Sequence, residues 1–289
     1  MKAIDVAKAL SVSPPYRIKT ATLHVNVRVG GSGPPLLFLG GSNFDLSLKA
    51  LVFDSQLPQH FTVAAADPRG LGATDAPDGD WTMKDYAQDA LALLDALNWD
   101  SACVLGESFG AMTALHLAAL APERITRLAL AAASPGGVGG SSYPVQEFLD
   151  INDPEQRAIS ALSIIDNRWP TKLVHNTEQA QQDIAARVEA EALFIASHNN
   201  ATGYPRLLQA RAGHDISHAL PGISCDTLVF AGRYDQQAPI DRAEYITSHL
   251  PNSQLHVIDG GHSHCFATPE PVTVMIREWC ATHAQPASL

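Results

Sequence analysis

Apolar and polar positions along this 289-residue chain follow two different rhythms. From Thr22 to Val29 they alternate, and the pattern breaks at Gly30-Gly31-Ser32-Gly33-Pro34-Pro35, which predicts an antiparallel edge hairpin at the start. The later segments Pro35 to Leu39, Phe61 to Ala66, Ala102 to Leu105, Leu128 to Ala132 and Thr227 to Ala231 are short, continuous apolar runs. Strands covered on both faces by helices have that composition. Met83 to Leu97 carries helical periodicity, with Thr82 and Asp85 spaced as a capping box. Strand alternating with helix predicts an α/β protein with a doubly wound, mostly parallel sheet.

The alternation stops between Ser134 and about Ser224. After the Gly-rich break Gly136-Gly137-Val138-Gly139-Gly140 there is no strand-like run, and three helical patterns follow: Pro154 to Ile165, Thr177 to His198 and Tyr204 to Ala212. A helical insertion between two core strands reads as a lid, placed at the carboxyl ends of the strands where open α/β sheets bind ligands. Glycines and prolines at both of its ends suit hinges. The expected division is a core of residues 1–134 and 225–289 and a helical cap of residues 135–224. The chain contains no internal repeat and no low-complexity tract.

Composition narrows the function classes. With 46% hydrophobic and 17% charged residues the chain can bury a large core. No apolar run reaches the roughly 18 to 20 residues of a membrane span, and Met1 to Leu10 lacks a signal-peptide pattern, so no membrane partner and a cytoplasmic location are expected. A net charge of −11 leaves no broad basic surface, which argues against nucleic acid. Cys103, Cys225, Cys265 and Cys280 form no CxxC pair; they read as reduced thiols, with neither a zinc site nor a redox motif.

The chemistry concentrates at Gly106-Glu107-Ser108-Phe109-Gly110, between a strand-like run and a helix-like one. This is a GxSxG nucleophile elbow. The abrupt turn pushes Ser108 Oγ out of the sheet, its glycines avoid collisions with strand and helix, and the Phe109 N–H at the new helix's start faces any oxyanion formed there. A serine hydroxyl needs a base to take its proton and an acid to orient the base. Of twelve histidines, His262 in Gly260-Gly261-His262-Ser263-His264 follows the strand-like Gln254 to Ile258 and precedes a helix from Pro269 to Cys280. Asp235 in Gly232-Arg233-Tyr234-Asp235 follows another strand. His264 is the competing base, His116 is expected to pack against the core, and His214 stands near the hinge.

The order Ser108, Asp235, His262, each after a core strand, resembles the α/β-hydrolase superfamily over roughly Thr20 to Ala281. Phe38-Leu39-Gly40-Gly41-Ser42-Asn43 stands where that family has its oxyanion loop, and Asp67 to Thr74 is similar to its D-x-R-G-x-G-x-S turn. The resemblance implies an eight-stranded sheet, a Ser108-His262-Asp235 triad, and oxyanion donors at the backbone N–H groups of Ser42 and Phe109. Two positions depart from it. Gly40 replaces the histidine many relatives have in that loop, and Glu107 precedes the nucleophile, where a residue normally packs behind the elbow.

Serine at the elbow argues against epoxide opening and halide displacement, which relatives perform with aspartate. The general likeness is to capped enol-lactonases, carboxylesterases and cofactor-free haloperoxidase-like enzymes. It implies hydrolysis of a small-molecule ester or lactone through an acyl-enzyme, without metal or organic cofactor, by a monomer or homodimer. Hydrolysis of a carbon–carbon bond in a diketone ring-cleavage product is the alternative, with Arg168, Arg206 and Arg211 as candidate carboxylate ligands. A non-catalytic receptor with a vestigial triad is a third reading. Asn43, Phe44, Trp169 and Tyr204 are the expected substrate contacts.

Overall fold

A computed structural model describes residues 14–48, 51–267 and 270–282. Met1 to Leu10 and Pro269 lie outside them. Eight strands form one sheet in the order β1-β2-β4-β3-β5-β6-β7-β8. They are β1 Tyr16–Lys19, β2 His24–Gly31, β3 Pro35–Leu39, β4 Thr62–Ala66, β5 Ala102–Glu107, β6 Ile125–Ala131, β7 Thr227–Gly232 and β8 Ser253–Ile258. β1 and β2 pair antiparallel, β2 lies antiparallel to β4, and every other pairing is parallel.

The edge hairpin is β1–β2, turned at Thr20, whose N–H donates to Leu23 O at 2.9 Å. The Gly-rich break at residues 30–35 is not a hairpin turn, because β4 lies between β2 and β3. Its glycines serve close approach instead. Gly33, at φ +128°, sits so near the chain that a Cβ there would lie 2.2 Å from His60 O.

The continuous apolar strands are buried on both faces, as their composition requires. Leu37, Val104, Leu130 and Val229 face one cluster with helix α1 (Met83–Ala96), helix α2 (Phe109–Leu120) and helix α7 (Ile240–His249). Leu36, Phe38, Leu105 and Phe230 face a second cluster containing Val272 and Ile276 of helix α8 (Pro271–Thr282). The Thr82–Asp85 capping box opens α1, with Thr82 N–H donating to Asp85 Oδ2 at 2.8 Å.

Between β6 and β7 lie α3 (Pro154–Ile165), α4 (Trp169–His175), α5 (Thr177–Ile195) and α6 (His198–Ala212). Three patterns were expected there, and α4 is the addition, started by a proline in its first turn. α6 begins six residues before the expected Tyr204, because Pro205 lies inside the helix rather than in its first turn. Asn200 of α6 is fully buried. Its Oδ1 accepts from Gly72 N–H at 2.7 Å and its Nδ2 donates to Asp45 and Phe194 O, both at 2.8 Å. The chain then returns through Ile216, Leu220 and Ile223, which pack in the main core.

Candidate active site

At the end of β5 the chain turns into α2 at Ser108, whose φ of 53° is unusual for a residue with a side chain. The turn is possible because its neighbours lack side chains. A Cβ on Gly110 would lie 1.9 Å from Leu39 O, and one on Gly106 2.5 Å from the Ala111 Cα. Ser108 is thereby presented at the carboxyl ends of the parallel strands, 5% exposed.

His262 Nε2 lies 2.8 Å from Ser108 Oγ, and His262 Nδ1 lies 2.7 Å from Asp235 Oδ2. Asp235 is 1% exposed, and its Oδ1 accepts from the N–H groups of Gln237 and Ala238, both at 2.8 Å. A carboxylate so saturated stays an acceptor, so the His262 proton belongs on Nδ1. Nε2 is left with a lone pair for the Ser108 hydroxyl. The inserted helices help place the base, since His262 N–H donates to Ile165 O at the end of α3, at 2.6 Å. Gly261 permits that approach: a Cβ there would lie 2.2 Å from the same oxygen.

The Gly41–Asn43 loop passes over the elbow, and a Cβ on Gly41 would lie 3.8 Å from the Ser108 Cβ. Among the described residues the Ser42 N–H takes no hydrogen bond. Phe109, the first residue of α2, has no carbonyl one turn earlier to bond. A cavity of about 310 Å³ opens on Ser108, lined by Asn43, Phe44, Val145, Phe148, Arg187 and Tyr204 among others, and Ser42 itself. A second cavity of about 210 Å³ shares Asn43, Phe148, Arg187 and Tyr204. Burial pushes the Tyr204 hydroxyl to a higher pKa than usual.

Trp169 is not at the cavity. It packs with Ala158, Ala180 and Ile184 between the inserted helices, its indole N–H on Asp183 at 3.1 Å. A tryptophan at the start of a short helix filled the gap between helices instead of facing the sheet. Glu107, expected behind the elbow, lines the cavity wall and faces Cys265, whose thiol burial and the Glu107 charge push to higher pKa. His264 is turned away, its Nδ1 2.9 Å from Gly261 O. His116 is partly buried and pairs with His214, ring nitrogens 3.0 Å apart.

The arginines chosen from the sequence are all engaged elsewhere. Arg168 holds Asp166 and stacks on Tyr234, Arg206 holds the Pro77 and Gly79 carbonyls, and Arg211 holds Ser142. Arg187 was not singled out, because one arginine in a polar helical stretch does not disclose its face. It lines both cavities with no hydrogen bond or ion pair among the described residues, its Nε buried. Gln237 was missed as well: its Nε2 lies 3.0 Å from His262 Nε2. Its place two residues after Asp235, in the same strand-end turn, was the available signal. Among the described residues no cluster of three or more His, Cys, Asp or Glu is arranged to hold a metal ion.

Residues 34–267 match the family described as alpha/beta hydrolase fold. The chain belongs to that family. It is 29% identical over 251 residues to 2-hydroxymuconate semialdehyde hydrolase of Pseudomonas sp. (strain CF600), covering 83% of this chain and 84% of the relative. It is 25% identical over 252 residues to 3-oxoadipate enol-lactonase 1 of Acinetobacter baylyi, covering 86% and 89%. The crystal structure of the enol-lactonase from Burkholderia xenovorans LB400 superposes with a TM-score of 0.75 at 21% identity, covering 92% of this chain and all of that one. No helix among the described residues of this α/β hydrolase is long and apolar enough to cross a membrane.

Proposed function

We propose that this α/β hydrolase is a serine hydrolase that cleaves a carboxylic ester or lactone of a small, largely apolar molecule. The supporting observation is the continuous hydrogen-bonded chain from Ser108 Oγ through His262 to Asp235, with separations of 2.8 and 2.7 Å, opening on a cavity. His262 takes the Ser108 proton as Oγ attacks the substrate carbonyl, and the Ser42 and Phe109 N–H groups hold the oxyanion. His262 then protonates the leaving alcohol. Water attacks the acyl-enzyme with His262 again as base, releasing the acid and restoring Ser108. Residues 135–224 act as the cap that closes the cavity, since Val145, Phe148, Ala161, Ile165, Arg187 and Tyr204 form its roof.

Arg187 favours a second reading, hydrolysis of a carbon–carbon bond in a diketone that carries a carboxylate. An arginine with unspent donors in the cavity wall is suited to bind a carboxylate, in fork geometry. An anionic lactone is compatible with the same contact.

Turnover of p-nitrophenyl esters, lactones and a dienoate diketone by wild type and Ser108→Ala separates these readings. The ester or lactone series should be cleaved, and the variant should lose about four or more orders of magnitude in kcat without unfolding. Hydrolysis unchanged in Ser108→Ala removes the proposal. Preference for the diketone selects the second reading. Failure of Ser108 to react with a fluorophosphonate, with no substrate turned over, selects a receptor.

A further inference from the structure

Where the two connections of the inserted segment meet the sheet, the side chains leave a positive charge without a counterion. Arg211, in the last turn of α6, is 4% exposed and forms no ion pair among the described residues. One terminal nitrogen, Nη2, donates to Ser142 Oγ at 2.6 Å and Tyr143 O at 3.0 Å, while Nη1 and Nε take no hydrogen bond. Burying an arginine is costly unless its donors and charge are matched. Its pKa is pushed down to about 10 by desolvation, so it remains a cation at neutral pH.

Beside this guanidinium is a cavity of about 270 Å³ lined by Ser141, Ser142, Pro144, Gln146, Arg211 and His214, together with Ala212. Its polar groups are donors or neutral. Ser142 Oγ accepts from Arg211, which leaves its own proton to donate outward. Gln146 is half-buried; its Oε1 is an unpartnered acceptor, so only its Nε2 can donate to an anion. His214 is held neutral between His116 and Ser134 O and presents no charge. The nearby carboxylate, Asp215, is tied to the N–H and hydroxyl of Ser217. Arg242 donates to the carbonyl of the lining residue Ser141 at 3.0 Å and is neutralised by Asp241.

The geometry points to a binding site for a small oxyanion, a phosphate or the carboxylate of a small acid, held by Arg211 Nη1 and the Ser142 hydroxyl, with the Gln146 Nε2 as a further donor. The site is separate from the Ser108 cavity and shares no lining residue with it except through chain neighbours such as Val145. Its position gives the ligand a task. Ser141 to Gln146 leads into the inserted helices, Arg211 to His214 leads out, and the two connections already touch at the Gly136–Asp215 bridge. An oxyanion there joins the outgoing and returning chains a second time.

Thermal unfolding and titration calorimetry at constant ionic strength, with inorganic phosphate and separately with sodium acetate, test the site. Wild type should show saturable binding and a Tm rise of about 2 to 4 °C at roughly five times Kd, and Ser142→Ala/Gln146→Ala should bind at least fivefold more weakly, its Tm shift being read against its own ligand-free Tm. Arg211→Met should lose the response; if that variant does not fold, the double variant decides. Response to phosphate alone identifies a tetrahedral ligand, and an equal response to acetate identifies a carboxylate. No saturable response in wild type, or an undiminished response in the double variant, overturns the proposal.

Discussion

Gln237 Nε2 lies 3.0 Å from His262 Nε2, the same ring nitrogen that lies 2.8 Å from Ser108 Oγ. With Nδ1–H committed to Asp235, that nitrogen has one lone pair, and two donors compete for it. If His262 acts as the proposed base, the Gln237 amide competes with the Ser108 hydroxyl for that lone pair and weakens its grip on the serine proton. Gln237→Leu should accelerate inactivation of Ser108 by a fluorophosphonate about two- to fivefold, the worth of one neutral hydrogen bond. Stopped-time mass spectrometry of the labelled serine measures this. A tenfold slowing sinks the idea and makes the amide a support for the protonated ring.

Arg187 should discriminate by charge. Its guanidinium lines both cavities with no hydrogen bond or ion pair among the described residues, which leaves its donors open to a substrate carboxylate. Arg187→Met should raise KM about 10- to 100-fold for carboxylated lactones or diketones, the worth of a charge-assisted bond, and leave KM for a neutral ester within about twofold. Arg187→Lys should recover only part of the loss, because a point charge cannot reproduce the fork. Equal effects on charged and neutral substrates argue for a packing role.

The catalytic-looking chain was legible because each member carries a local signature. Glycines at 106 and 110 mark the elbow, and Gly260-Gly261 mark a loop free to approach α3, where a Cβ on Gly261 would strike Ile165 O. The core strands were legible because burial on both faces leaves unbroken apolar runs. The cavity roof was not. Trp169, Arg187 and Arg211 sit on inserted helices whose faces are decided by packing against each other, and nothing in a helical stretch says which arginine meets the cavity and which a carbonyl. Gln237 escaped for a related reason: its contact is made by the turn that places Asp235, not by any motif.

Docking of the inserted helices depends on Asn200. Replacing it with leucine strands three partners at once: the buried Asp45 Oδ2 and Phe194 O, and the partly buried Gly72 N–H. The expected cost is about 2 to 4 kcal/mol in urea unfolding. Thr202→Ala, two residues on, removes only an exposed hydroxyl bonded to the His198 and Asn199 carbonyls and should stay within about 0.5 kcal/mol. Similar losses in the two variants contradict this assignment.

The His116–His214 pair should make stability fall in mild acid. His214 Nε2 donates to Ser134 O at 2.8 Å, so its Nδ1 is the acceptor and His116 Nε2–H the donor across 3.0 Å; both rings are neutral. Burial lowers both pKa values to about 4, with each ring's potential charge opposing the other at His116. The folded values lie below the ordinary value near 6.5, so the contribution is fully present above about pH 6.5 and is lost as pH falls toward 4. For His214, 4% exposed, a shift of that size corresponds to about 3 kcal/mol. The depressed carboxyls of Asp75, Asp85 and Asp215 act below their usual 3.8, outside this window. His264 and His256, also lowered by burial, titrate within it, so the pair is isolated by substitution. His116→Gln keeps a donor for His214 Nδ1 but removes one titrating ring. Urea unfolding at half-unit intervals from pH 7.5 to 4.5 should show its slope reduced by about 1.4 kcal/mol per pH unit, the weight of one proton. A slope equal to wild type means that His116 does not titrate between the two states.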